Sequence, residues 1–463
     1  MSLSREFAAF VSRLSFDDLP AEVVDRAKGV TLQALASALI AHEQPAAKQA
    51  LALMLEADDS AGAATVLCSG AKLTKGGAAF VNSEMILAGG KWDTFRMLTH
   101  PGAAIIPAAL AAAEVTQCSG QEFLTGLVAG YEVMERMAAD FIPTVMARGF
   151  HAGPVFGIFG AAVAAAKIQQ LSEDQIHSAI AQCVNLAGGN LEGGRSGGRS
   201  LREGAAVRNA MLAVSMARFG TPGGETTLEG EAGFYHAYAG NNAGRLTHSF
   251  TGKLNVDLGE ITKGLGRDWL FLETLYRIYS IAGFNIAHID VTAQLCAEHS
   301  IRHADISRIE AIVNWYETRY PSPAFPLPGT DDQPKVGSTH YFTAYGAVTG
   351  SYPMLRNMTD TATHADPPEV LELMKRVTLV PSVNRPLFAP RITIVTSDGR
   401  SFIKEATGSE FIWNFDEEVR RIRSIESGIA LSAQQFTALI EKCRGLDRRD
   451  AVACDVIALT IAS

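Results

Sequence analysis

Residues 149–168 read GFHAGPVFGIFGAAVAAAKI. Beyond His151 the segment is alanine, glycine and large apolar residues up to Lys167, with small residues at 153, 157 and 160. Alanine is the strongest helix former, and glycines along a helix leave room for another element to come close. The apolar run stops at Lys167, short of the roughly 20 residues that cross a bilayer. The stretch therefore predicts a helix held inside a multi-helix domain.

Similar segments surround it. PAAKQALALMLEA (45–57), GAAIIPAALAAAEVT (102–116), QEFLTGLVAGYEVMERMAADF (121–141) and EDQIHSAIAQCVNLAGG (173–189) repeat their apolar residues at helical spacing. From Phe7 to about Phe219 the chain reads as nearly all α. The pattern changes after LEGEAGFYHAYAG (228–240): RIEAIVNWYETRY (308–320) and RITIVTSDGRSFIKEA (391–406) read as strands, the latter with a turn at Asp398-Gly399. Helical segments DVTAQLCAEHSIRH (290–303) and VLELMKRV (370–377) lie among them, and the Pro-rich YPSPAFPLPGTDDQPKVG (320–337) reads as a loop. The tail returns to helical periodicity. The fold class expected is mainly α with a second, smaller α+β domain: a discontinuous all-helical domain over 1–265, the α+β domain over 266–405, and helices over 406–463 that rejoin the first.

The 463 residues carry a formal charge of −9, which argues against nucleic acid or an anionic membrane as partner. The start, MSLSREFAAFVSRL, has no apolar signal core, so a soluble cytoplasmic protein is expected. Six cysteines, at 68, 118, 183, 296, 443 and 454, form no CxxC pair and predict reduced, buried thiols with neither disulfide frame nor zinc site. The Gly-rich GGNLEGGRSGG (188–198) lacks the Lys-Ser/Thr ending of a phosphate loop and the strand context of a dinucleotide fingerprint.

Three clusters could carry chemistry. Arg195, Arg199 and Arg202 stand in GGRSGGRSLREGAAVRNA (193–210), and guanidinium offers a permanently charged fork suited to carboxylates. KWDTFRMLTHPGAAIIPAAL (91–110) places Asp93, Thr94 and His100 ahead of a helix with Pro101 at its first position. His151 repeats that arrangement. A histidine before a helix serves equally as a cap; two of them are candidates for proton transfer near neutral pH.

At these residues the chain resembles the MmgE/PrpD family, whose members include 2-methylcitrate dehydratase, cis-aconitate decarboxylase and iminodisuccinate epimerase. The resemblance runs in order through Asp93-Thr94 with HPGAAIIPAAL, LVAGYEVMERM, GFHAGPVFGIFGAAVAAAKI, the segment from Arg199 to Asn209, TTLEGEAGFYHAY, RIEAIVNWY and HYFTAYGAVTG. It implies a large helical domain, a smaller α+β domain, a cleft between them, a homodimer, no metal or cofactor, and a small polycarboxylate as substrate. The family histidines fall on His100 and His151. Its acidic run, typically Asp-x-Asp-Asp-Thr, is here Gly90-Lys91-Trp92-Asp93-Thr94, and its two active-site lysines fall on Arg199 and, ahead of Tyr279, on Arg277. A family histidine falls on Arg202.

Arginine clamps anions but does not transfer protons, so these changes point away from expelling a hydroxyl. The reading that results is a cofactor-independent epimerase of a small amino- or imino-dicarboxylate such as iminodisuccinate. His100 and His151 would move the proton, Tyr279 would be a second-face donor, and Asp93 would orient an imidazole. Thr94, Arg199, Arg202 and Arg277 would bind the substrate. The alternative is a hydro-lyase or decarboxylase acting on a citrate-like acid. His288 either fills part of the motif that follows Tyr279 or lies on the domain surface.

Overall fold

The structure, a computed structural model, describes residues 1–58, 62–97, 99–195, 201–279, 281–319, 333–353 and 366–461. The chain divides into two units: Met1–Thr247 with Leu254–Ile278 and Trp413–Ser463, and His248–Lys253 with Tyr279–Ile412.

The first unit opens with helices α1 (Leu3–Arg13), α2 (Ala21–Ala41), α3 (Pro45–Ala57) and α4 (Lys75–Gly89). It continues with α5 (Pro101–Thr116), α6 (Gly120–Ala138), α7 (Ile142–Ala147), α8 (Ala152–Ile168) and α9 (Glu173–Leu186). Helices α10 (Glu192–Arg195), α11 (Arg202–Arg218) and α12 (Phe234–Ala239) complete this part. Two short pairings interrupt them, β1 (Ala64–Thr65) with β2 (Lys72–Leu73) and β3 (Asp93–Thr94) with β4 (Leu275–Tyr276). The β3–β4 pairing explains why residues 266–278 belong to this unit, although their sequence suggests the second domain.

Helix α8, formed within the 149–168 stretch, is buried at every position but Lys167. A helix apolar all round is a core helix. It packs against α5, α6, α9 and α11, and α5 is buried from Pro101 to Ala113. Capping boxes fix the helix starts: Ser119 Oγ accepts from Glu122 N at 3.2 Å while the Glu122 carboxylate accepts from Ser119 N at 2.9 Å, and Ser172 with Gln175 does the same for α9.

Glycine sets how close α6 and α8 come. A Cβ on Gly130 would lie 2.5 Å from the Gly160 carbonyl oxygen, and one on Gly160 would lie 2.9 Å from that of Gly130. Backbone oxygens cannot rotate away, so the helices would have to separate. Gly130→Ala is accordingly expected to cost about 1–3 kcal/mol, the usual size of an overpacking penalty. Urea unfolding followed by circular dichroism measures it, and a stability within 0.5 kcal/mol of the parent, to order of magnitude, would show that α6 and α8 are not held that tightly.

The second unit contains α13 (Gly283–Glu298), α14 (Thr339–Thr349) and α15 (Pro368–Leu373), with strands β5 (Ile306–Asn314), β6 (Val377–Ser382), β7 (Arg391–Thr396) and β8 (Ser401–Glu405) in the order β6-β5-β7-β8. The β7–β8 hairpin turns at Asp398-Gly399, with Gly399 at φ +85°. Strand β6 begins at Val377, where the helical segment expected from sequence ends, and residues 378–382 carry no expectation. It runs parallel to β5, and a parallel neighbour needs a long crossover, which here includes α14 and α15. After Ile412 the chain returns to the first unit with α16 (Phe415–Arg423), α17 (Ala433–Arg444) and α18 (Asp455–Ala458). All six cysteines are free thiols. No helix among the described residues is long and apolar enough to cross a membrane.

Candidate active site

The candidate residues of the first unit gather where short connections enter α5, α8 and α11. Strand β3 sets Asp93 opposite Tyr276 and Thr94 opposite Leu275. That pairing brings Arg277, which follows β4, beside the approach to α5. Arg277 is buried, its guanidinium lies 4.3 Å from the centre of the Trp92 ring, and its carbonyl accepts from Gln33 Nε2 of α2 at 2.8 Å.

Asp93 is buried with its carboxylate fully engaged. It accepts from the Gly102 amide at 3.0 and 2.9 Å and from the Tyr131 hydroxyl at 2.5 Å. Gly102 lies in the first turn of α5, where amides have no acceptor within the helix. A Cβ there would meet the Tyr131 hydroxyl at 2.8 Å and Asp93 Oδ2 at 2.9 Å, so the position needs glycine. Burial still outweighs these donors and the nearby Arg277 charge, and the carboxyl is raised from 3.8 to about 6. Tyr131→Phe is expected to raise it further and to cost about 1.5–3 kcal/mol at pH 8, where the lost bond is to a carboxylate. At pH 5 the carboxyl is protonated and the loss should shrink. Equal losses at the two pH values, in urea unfolding, would mean that the phenol does not serve the ionised form.

His100 is the N-terminal cap residue of α5. Its Nδ1 lies 3.0 Å from the Asp93 carbonyl oxygen and 3.4 Å from Thr94 Oγ1. A carbonyl oxygen only accepts, so Nδ1 carries the proton and Nε2 presents a lone pair. The orienting group is therefore the peptide carbonyl of Asp93, whereas its side chain is the orienter expected from sequence. Burial first, then the Arg277 charge, with Arg202 adding, push the imidazole down to about 3, against the hydrogen bond to Asp93.

His151 caps α8 in the opposite sense. Its Nδ1 accepts from the Gly153 amide at 3.2 Å, so in the neutral ring the proton is on Nε2. Nδ1 also stands 3.6 Å from Glu203 Oε1. Burial, then Arg202, then His100 hold its pKa well below the ordinary histidine value. The two imidazoles are thus both neutral at pH 7, one offering a lone pair at Nε2 and the other an N–H.

Arg202 begins α11, its Nε 3.2 Å from Glu203 Oε1. The helix start is fixed by the Gly204 amide donating to Glu84 Oε1 at 2.8 Å. The charge of Arg202 acts on both imidazoles. Lys91, which follows left-handed Gly90 at φ 69°, is buried, and burial together with Arg277 brings it down to about 8. Arg199 lies outside the described residues.

Tyr279 belongs to the second unit, where its ring stacks on Tyr352 at 3.9 Å and 17°. His288 is in that unit too and is buried, not on the surface, with Nδ1 2.9 Å from Thr343 Oγ1. Lys91, Trp92, Tyr131 and Glu203 escaped the sequence reading. All four stand inside or beside stretches that reading singled out, but each looks like filler until the pairing of β3 with β4 and the capping contacts of α5 and α8 are seen. Among the described residues no group of three or more His, Cys, Asp or Glu side chains could hold a metal ion. The arrangement can grip a polycarboxylate with cations, take a proton at His100 Nε2 and give one from His151 Nε2.

The family model of the MmgE/PrpD N-terminal domain matches residues 5–246. A cis-aconitate decarboxylase-like protein of Aspergillus oryzae is 27% identical over 314 residues, covering 65% of this chain and 63% of its own length. The cis-aconitate decarboxylase of Aspergillus terreus is 24% identical over 67% of this chain and 64% of its own. The human cis-aconitate decarboxylase is 33% identical over 168 residues, 35% of each chain. The chain thus spans under two thirds of the length of these relatives.

Proposed function

The chain belongs to the MmgE/PrpD family, and from that premise we propose that it is a cofactor-independent epimerase of a small amino- or imino-dicarboxylate, iminodisuccinate being the type. It would remove the proton from a carbon beside a carboxylate and return one to the other face. The observation that carries this reading is that Nδ1 faces a carbonyl in one capping imidazole and an amide in the other, which leaves a lone pair at His100 Nε2 to act as base and an N–H at His151 Nε2 to act as acid. Inversion through a planar, enolate-like intermediate needs both groups and no acid for a departing hydroxyl. Lys91, Arg202 and Arg277 would hold the carboxylates and the charge that develops on them. A base at about 3 is weak: burial is the first cause and the Arg277 and Arg202 charges the next, and bound carboxylates would offset the part that the charges contribute. Tyr279 is retained in this proposal as a further donor, and Thr94 and Arg199 as substrate contacts.

A second reading is a lyase acting on a citrate-like acid: decarboxylation, the activity for which the relatives are named, or hydration and dehydration. Decarboxylation would use only the acid, to protonate the carbanion left by CO₂. One experiment separates the two. The protein is incubated in D₂O with single stereoisomers of iminodisuccinate and aspartate-derived dicarboxylates, with 2-methylcitrate and with cis-aconitate, and followed by proton NMR. Loss of the α-proton with a new stereoisomer and no alkene is the result expected. Vinyl protons from a saturated acid, or CO₂ from an unsaturated one, would replace the epimerase with a lyase.

A further inference from the structure

Trp92 stands between Lys91 and Asp93 and touches both halves of the candidate site. Its indole Nε1–H donates to the Ile86 and Leu87 carbonyls at 3.2 and 3.1 Å. Those carbonyls belong to the last turn of α4, where oxygens lack partners from the helix itself, so the indole is tied to a rigid helix end. Its ring lies 4.3 Å from the His100 imidazole, centre to centre, at 50°, and the Arg277 guanidinium lies 4.3 Å from the ring centre. One neutral aromatic surface thus meets both the group placed to take the proton and a cation placed to take the substrate's charge.

We infer that Trp92 is a positioning residue for proton transfer: its tethered indole fixes the His100 ring and the Arg277 guanidinium relative to each other and keeps a side-chain carboxylate from taking its place between them. The inference rests on the proposed function for its catalytic consequence, not for its structural content. A cation over an indole face is held electrostatically by the ring, and the imidazole, already bonded through Nδ1, gains a second restraint on its face. An aspartate in this place could not donate to the α4 carbonyls. It would pair with Arg277 and stabilise a protonated His100. The charged and titratable groups concerned are Lys91 and Asp93 on the approach to α5, Arg277 after β4, Arg202 on α11, His151 at the start of α8 and Tyr131 on α6.

The test uses the full-length protein with Trp92→Phe, Trp92→Leu and Trp92→Asp. The His100 ring is followed by long-range proton–nitrogen NMR across pH 3–8, succinate serves as a non-reacting dicarboxylate probe by calorimetry, and kcat and KM are measured on whichever acid turns over. Phenylalanine keeps a ring face but loses the Nε1–H tether, and is expected to leave the Nδ1–H form of His100 in place while weakening succinate by about threefold. Leucine fills similar space without a π face, and should weaken succinate roughly tenfold and lower kcat more than it raises KM. Aspartate should move the His100 midpoint up by about one unit or more. Phenylalanine and leucine variants that behave alike, or an aspartate variant with an unmoved His100 midpoint, would overturn the inference. So would failure of both neutral variants to fold, which makes Trp92 a structural residue only. If the parent neither binds succinate nor turns over any acid, the proposed function fails, while the His100 titration still decides the role of Trp92.

Discussion

His100→Asn is expected to lower α-proton loss into D₂O by about 10²–10⁴-fold, the usual contribution of a positioned general base, without unfolding the start of α5. Asparagine is chosen because its amide can replace the Nδ1–H bond to the Asp93 carbonyl, now 3.0 Å long, and because it is itself a favourable N-cap residue. What it removes is the lone pair at Nε2. His151→Asn is the companion: its side-chain oxygen can take over acceptance from the Gly153 amide at 3.2 Å, while the Nε2–H is lost. For the stereoisomer whose proton faces His100, that variant should still exchange hydrogen for deuterium, with retention, because protonated His100 can return a solvent deuteron to the face it came from. Inversion should fall with the full factor. From the opposite stereoisomer the roles reverse and exchange itself should fail. Inversion that survives either substitution, by proton NMR on both stereoisomers, would remove the two-imidazole scheme.

The helical architecture is readable from sequence because its evidence is local. Runs such as GIFGAAVAAAKI have one physical outcome, a core helix, and Ser-x-x-Glu or Ser-x-x-Gln boxes mark where such helices begin. Strand β6 is harder, because only the single turn Met374–Arg376 separates VTLVPS from α15, and only pairing with β5, far away in the chain, makes it a strand. Of the candidate residues that the structure brings together, the two histidines, Asp93 and Arg202 are types whose chemistry shows in the sequence, whereas Arg277 is reached only through the family resemblance. The site is not readable in Trp92 and Tyr131. A lone indole or phenol reads as a packing residue, and the role of each here depends on a ring contact to His100 and a 2.5 Å bond to Asp93, both made by tertiary packing. The tautomers could not be read either, since they follow from whether each Nδ1 faces a carbonyl or an amide.

Arg277→Gln should produce the broadest change of any single substitution. A carboxylate held by both arms of a guanidinium loses two charge-assisted bonds, each worth about 1.5–3 kcal/mol, so kcat/KM should fall by about 10²-fold or more. KM rises if Arg277 grips a spectator carboxylate; kcat falls if it faces the one beside the reacting carbon. The same substitution has a second, independent signature. The Arg277 cation lowers the pKa of His100, Asp93 and Lys91 together. Removing a positive charge favours the protonated form of each, so all three must move upward: His100 from about 3 toward 6.5, Asp93 above about 6 and Lys91 above about 8. The linkage sign follows. In the parent, the depressed His100 contributes stability that is present above 6.5 and lost as pH falls toward 3, whereas the raised Asp93 contributes stability that is present below 3.8 and lost as pH rises through 6. Shifting both upward makes the folded variant bind protons more readily than the folded parent does. Measured by urea unfolding, the variant's stability relative to the parent should therefore improve between pH 7 and pH 5, even as its activity is lost. A relative stability that is flat over that interval, with an unmoved His100 resonance, would place the guanidinium too far from the imidazole to act on it or on a substrate bound there.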